Sequence, residues 1–177
     1  VILANHISYL DIFLMYSILP QNEFLFLGKG ELLKYPIIGA YFKTLNIPVH
    51  RGNRMKAARS IVQASREVKK GWSIVIFPEG QIPDVNPKMK HFKSGAFQLA
   101  KNLNLPIVPM TFTNNHILFS DPTFILGPAR PGICKVYMHD YISAEKVAGM
   151  EQKELRSYCY ELLNGPLLEQ YPELRKK

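Results

Sequence analysis

Two short apolar runs, each followed at once by a polar motif, constrain this chain more than any other feature. Residues 1–4 (Val-Ile-Leu-Ala) lead into Asn5-His6-Ile7-Ser8-Tyr9-Leu10-Asp11, and residues 73–76 (Ser-Ile-Val-Ile) lead into Phe77-Pro78-Glu79-Gly80. Open α/β sheets place their ligands at such strand ends. The remaining pattern alternates in the same sense. Strand-like runs at 1–4, 23–27, 47–50, 72–77, 107–113, 123–126 and 133–139 are interleaved with helical patterns at 8–19, 54–70, 94–103 and 150–163. Residues 31–45, broken by Pro36 and Gly39, read as two short helices. Gly71 is placed to end one long helix, and Gly165-Pro166 to end the last, before a basic tail. This alternation predicts an α/β fold: a single-domain sandwich with a mixed, largely parallel sheet flanked by helices.

A length of 177 residues fits one domain with a real core, and 47% hydrophobic with 20% charged residues is ordinary for a globular protein. The net charge of +8 points to an anionic partner, whether nucleic acid, an acidic membrane surface or a phosphorylated substrate. The uncharged run from Ile12 to Asn22 is too short to span a bilayer, which takes about 20 apolar residues. The chain opens at Val1 inside a strand-like run, which reads as a fragment whose N-terminal segment, with any anchor, lies outside it. Cys134 and Cys159 show no metal-ligand spacing and read as apolar fillers in a reducing compartment.

A His with a nearby carboxylate is the minimal apparatus for removing a proton from a hydroxyl. Mid-helix, His6 and Asp11 would sit about 140° apart around the axis. They meet only if His6 lies on the strand-to-helix turn, with the helix starting near Ser8 and Asp11 in its first turn. The alternative is that Ser8-x-x-Asp11 is a plain capping box. Glu79, presented by a Pro-and-Gly turn, reads as a site carboxylate or as a solvated loop residue. In Pro48-Val49-His50-Arg51-Gly52, Arg51 offers a planar fork suited to phosphate, or is simply a surface residue. The stretch Lys88-Met89-Lys90-His91-Phe92-Lys93-Ser94-Gly95 sets cations at a helix start, where they oppose the dipole unless an anion is bound; a solvated charge run is the other reading.

Taken in order, these blocks resemble the glycerolipid acyltransferase family. His6 and Asp11 are similar to its His-x4-Asp motif. Gly28-Lys29-Gly30-Glu31-Leu32 with Pro48 to Gly52 resembles the second block, Phe77 to Gly80 the third, and Leu105-Pro106-Ile107-Val108-Pro109 the fourth. The likeness runs from about residue 1 to 141, with a C-terminal helix at about 150–171 completing one acyltransferase domain over 1–177. Within the family the resemblance is nearest to the lysophosphatidate-acylating branch. It implies a glycerol-3-phosphate acyltransferase-like fold and transfer of a fatty acyl chain from a thioester to a lysophospholipid hydroxyl. His6 and Asp11 would form the catalytic pair; Arg51, Glu79, Gly80, Lys29 and Lys93 would bind substrate. The donor would be acyl-CoA or an acyl carrier protein, with no further cofactor and no metal. The protein would work at an anionic membrane surface, on its cytoplasmic face. Oxyanion donors are expected near Gly80 or at the first helix, and Phe13, Phe24, Leu25, Phe26, Tyr35 and Phe42 are candidates for an acyl groove.

The family's third motif often continues Thr-Arg, where this chain has Gln81-Ile82. That keeps open another acceptor: a different lysolipid, an aminolipid or a hydroxyacyl chain. A basic nucleic-acid-binding domain is the rival of another class. Scattered basic residues and the lack of a nucleic-acid motif argue against it, so no nucleic-acid partner is expected. A hydrolase acting through His6 and Asp11 on water lacks a G-x-S-x-G elbow.

Overall fold

The computed structural model describes residues 1–29, 46–49, 54–119 and 129–175. The expected helices at 31–45 and strand at 123–126, with Arg51, Tyr35 and Phe42, lie outside the described residues.

Six strands form one sheet in the order β3-β2-β4-β1-β5-β6. They are β1 (Ile2–Ala4), β2 (Phe24–Lys29), β3 (Asn46–Val49), β4 (Ser73–Ile76), β5 (Val108–Phe112) and β6 (Val136–Met138). All neighbours run parallel except β5 and β6. A parallel sheet is buried on both faces, so its central strands carry near-continuous apolar runs. Alternate residues then serve opposite faces. Leu3, Leu25, Ile74 and Ile76 join one core cluster. Ile2, Ala4, Phe24, Phe26 and Val75 join the other.

The first cluster is covered by four helices: α2 (Arg54–Lys69), α3 (Gly95–Asn102), α5 (Ala144–Gly149) and α6 (Gln152–Gln170). On the opposite face α1 (Leu10–Ile18) contributes Ile12 and Met15. A one-turn helix, α4 (Asn115–Leu118), follows β5, and a 3-10 turn spans Pro172–Arg175. The expected sandwich with a mixed, largely parallel sheet is the architecture observed. No described helix is long and apolar enough to cross a membrane.

Helix α2 stops where the sequence places the stop. Gly71 takes φ +101°, its N–H donates to Val68 O (3.0 Å), and Trp72 N donates to Glu67 O (3.1 Å). This paired closure needs the left-handed residue that glycine supplies.

The end of α6 decides between two bounds read from the sequence, a stop at Gly165-Pro166 and a helix to about residue 171. Gly165-Pro166 does not end the helix, which runs on to Gln170. A proline inside a helix removes one backbone bond and costs about 3 kcal/mol. Tertiary packing offsets this: Leu155, Cys159, Leu163, Pro166 and Leu167 are all buried, and the Thr111 hydroxyl donates to Leu163 O (3.0 Å). Both cysteines are unpaired. Burial pushes the Cys159 thiol up to about 12, so it stays protonated and inert.

Parallel alignment puts the C-terminal ends of β1, β4 and β5 on one edge. There Asn5 prolongs the β1–β5 pairing with its side chain. Its Nδ2 donates to Phe112 O and its Oδ1 accepts from Phe112 N, both at 2.8 Å. Asn5→Ala leaves two buried backbone groups unpaired and is expected to lower stability by about 3 kcal/mol. Urea unfolding measures it: the midpoint drops with the slope unchanged. A midpoint equal to wild type contradicts this account.

Candidate active site

Asp11 is fully buried, and its Oδ2 accepts three bonds. They come from His6 Nδ1 (2.9 Å), Ile7 N (2.8 Å) and Ser8 N (2.9 Å). Its Oδ1 accepts from Asn115 Nδ2 (2.7 Å). The Ser8 N bond is the reciprocal half of a capping box, and the Ser8 hydroxyl accepts from Leu10 N (3.1 Å). The capping reading and the His-partner reading of the sequence are therefore both satisfied, by one oxygen. Asp11 sits in the first turn of α1 as expected.

Two backbone N–H groups and the Asn115 amide donate to Asp11 and suit it as a carboxylate. His6 Nδ1 must then carry the hydrogen, and Nε2 keeps its lone pair for proton transfer. The His6 side chain is 11% exposed, and its ring lies flat on Phe77, with centroids 4.1 Å apart and planes 13° apart. This stacking fixes the ring plane, while Asp11 fixes its rotation.

Glu79 comes to the pair from 73 residues away. Its Oε1 accepts from His6 N (2.9 Å) and its Oε2 from Lys90 N (2.7 Å), and it is 2% exposed. The sequence reading assigned it a contact with substrate. In the structure its carboxylate clamps the backbone of His6. Burial, with some help from the Asp11 charge, raises its pKa to about 7, against the pull of the two N–H donors.

Gly80 has φ +75°, and a Cβ there would lie 2.9 Å from Lys93 Nζ. The positive φ favours glycine here, and a Cβ would displace the end of the Lys93 side chain laid over the turn. Lys93 N also donates to Pro78 O (2.8 Å), tying this turn to the segment before α3. Several N–H groups among the expected oxyanion donors near Gly80 and at the first helix are engaged. Gly80 N donates to Phe77 O (2.9 Å), and the N–H groups of Ile7, Ser8 and Leu10 are bonded as described above. Lys29 closes β2 at the same sheet edge.

Two cavities meet at Lys93. One, of ≈ 590 Å³, has largely apolar walls that include Leu27, Val49, Ile61, Ile76 and Phe77. Phe77 is at once its wall and the platform under His6. The other, of ≈ 600 Å³, is lined in part by Glu79, Lys88, Lys90, His91 and Tyr160. Of the basic run, Lys90 is paired with Asp84 Oδ2 (2.6 Å). Phe24, Leu25 and Phe26 are core residues rather than groove walls, and Phe13 is 62% exposed.

The sequence reading missed Asn115 and the role of Phe77. The rule that singled out His6 and Glu79, polar residues at a strand end, also applies to Asn114-Asn115 after β5. Their lack of a formal charge hid them.

Residues 1–113 match the family model described as Acyltransferase. The chain is 31% identical over 176 residues to a 1-acyl-sn-glycerol-3-phosphate acyltransferase of Cocos nucifera, covering 98% of this chain and 54% of that one. It is 28% identical to the Haemophilus influenzae enzyme of the same name, over 98% of this chain and 70% of the relative. The chain spans about half the length of the first of these relatives. In fold it is similar to the crystal structure of the 1-acyl-sn-glycerophosphate (LPA) acyltransferase PlsC from Thermotoga maritima. That likeness has a TM-score of 0.74 at 24% identity, over 96% of this chain and 65% of that one.

The raised pKa of Glu79 has a consequence for stability. The folded state holds the proton more tightly than the unfolded chain, where the value is 4.5. Stability is therefore highest below about pH 5 on this account and falls as pH rises towards and through about 7, by about 3 kcal/mol in full. Glu79→Gln should flatten that slope. Chemical unfolding at a series of pH values measures both; equal slopes in the two proteins contradict the assignment.

Proposed function

The chain belongs to the acyltransferase family, and on that premise we propose that it transfers a fatty acyl group from a thioester to the free hydroxyl of a 1-acyl-glycerol-3-phosphate. The observation that carries this is the His6–Asp11 pair, its tautomer fixed and His6 Nε2 left to accept a proton. The names of the relatives supply the substrate class.

His6 Nε2 takes the proton of the acceptor hydroxyl as the oxygen attacks the thioester carbonyl. Asp11 stabilises the imidazolium that forms. The tetrahedral adduct collapses, the C–S bond breaks, and the leaving thiolate takes the proton from His6. No protein nucleophile takes part, so donor and acceptor are bound together. The apolar cavity beside Phe77 suits a fatty chain. Lys93, at the junction of the two cavities, with Lys29 and Arg51, supplies cations for the acceptor phosphate. Glu79 acts on the backbone of His6 and keeps its amide in place. Donor identity, acyl-CoA or an acyl carrier protein, is read by offering both.

The direct test is thioester consumption by purified protein against lysophosphatidate and a panel of other lysolipids, aminolipids and hydroxyacyl acceptors. Lysophosphatidate is expected to turn over fastest, and a clear preference for an acceptor without phosphate would overturn the reading. His6→Ala should lower kcat by about 10²–10⁴-fold with the melting temperature held. Near-normal turnover in that variant would remove His6 from the chemistry.

Arg51→Ala and Lys93→Ala should raise KM for the acceptor more than for the thioester, and Arg51→Lys should restore binding only in part. Equal effects on both substrates would mean that these residues shape the site without contacting the head group.

A further inference from the structure

We propose that Asn115 is a positioning residue of the catalytic pair, which holds Asp11 charged and aimed at His6 through its side-chain amide. The role rests on the acyl-transfer reading only for its catalytic meaning. The geometry stands independently of it.

Asp11 is a buried carboxylate whose ionised form needs donors on both oxygens. Three of its four bonds come from residues within five positions, and two of those are backbone N–H groups. Those two depend on the turn and not on side-chain identity. The fourth is different. It comes from a side chain 104 residues away, brought in by the parallel pairing of β5 with β1. It is also the shortest of the four and, among the described residues, the only one on Oδ1. With Oδ2 bound to His6 and Oδ1 to Asn115, the carboxylate is fixed at both ends and has no freedom to turn away from the ring.

The other end of the Asn115 amide provides the second observation. Its Oδ1 is buried without a hydrogen-bond partner among the described residues. Flipping the amide would set that oxygen against the Asp11 carboxylate, so the orientation is not open to choice. An unpartnered buried carbonyl is unfavourable, and an apolar residue of like size would avoid it. A position serving packing alone would not hold an amide on such terms. A position serving as donor to Asp11 must.

Other titratable groups near the pair are Glu79, from the turn after β4, and His116 and Cys134, both within the field of Asp11. They are common to wild type and variants, so differences between the proteins report on Asn115.

The test uses two variants of the full chain and follows the His6 imidazole by NMR titration, assigned by comparison with His6→Ala. Asn115→Leu keeps the volume and removes the donor. Without it the Asp11 charge is less shared and binds the imidazolium more strongly, so the His6 titration should move up by about 1 pH unit. Turnover should fall roughly tenfold or more while both KM values hold. Asn115→Asp keeps size and polarity and provides a variant that folds if Leu is not tolerated. It can donate only while the two carboxyls share a proton. Its His6 titration should also move up, and its turnover should fall more steeply than wild type as pH rises and the shared proton is lost. A His6 titration unchanged in the folded variants overturns the proposal. The titration does not depend on turnover. Wild-type protein inactive on every acceptor would overturn the acyl-transfer reading, while the shift of the His6 titration would still decide the role of Asn115.

Discussion

The carboxylate of Asp11 is the point on which the rest of the site depends. An ionised group with no exposure is stable only if its charge is answered by donors, and four N–H groups do so. Two are the backbone of residues 7 and 8, so the charge also organises the turn between β1 and α1. One is His6, so the same charge sets the tautomer of the base. The last is Asn115, which links the far end of β5 to the start of α1. Helix start, proton acceptor and strand end are thus one electrostatic unit, with the Ser8 hydroxyl adding a further tie to Phe119 O (2.7 Å).

The parallel sheet is what brings these pieces to one edge. The register of β1 against β4 and β5 sets His6, Phe77 to Gly80 and Asn115 side by side, although they lie far apart in the chain. Side-chain bonds then continue the sheet where backbone pairing ends. Asn5 completes the β1–β5 edge, and Glu79 joins the β4 turn to the amide of His6. A base held through backbone, ring plane and ring rotation loses little entropy on reaching its reactive geometry, which is what efficient proton transfer requires.

The departure at Gln81-Ile82 lies outside the bonded network of the His6–Asp11 pair. None of the bonds that build the His6–Asp11 pair involves these two residues. They follow Gly80 at the boundary where Lys93 separates an apolar cavity from a basic one.

Most of the described strands and longer helices, the largely parallel sheet and the His6–Asp11 contact were legible in the sequence, while the short helices at Asn115–Leu118 and Ala144–Gly149 were not. Each legible feature is a local signal: apolar period, turn residues, and five positions between two functional groups. Even the stop of α2 at Gly71 is local chemistry. What the chain alone did not disclose depends on contacts between distant residues. Only the fold shows that both oxygens of Glu79 are bonded to backbone N–H groups. Asn115 was invisible because an uncharged amide has no signature until its partner is known. Local propensity favours a stop of the last helix at Gly165-Pro166, and buried packing across the sheet overrides it, so that the longer of the two bounds read from the sequence holds. Short-range rules determine which elements form and where reactive groups enter. Burial and long-range pairing decide which of those groups meet substrate and which hold the others in place.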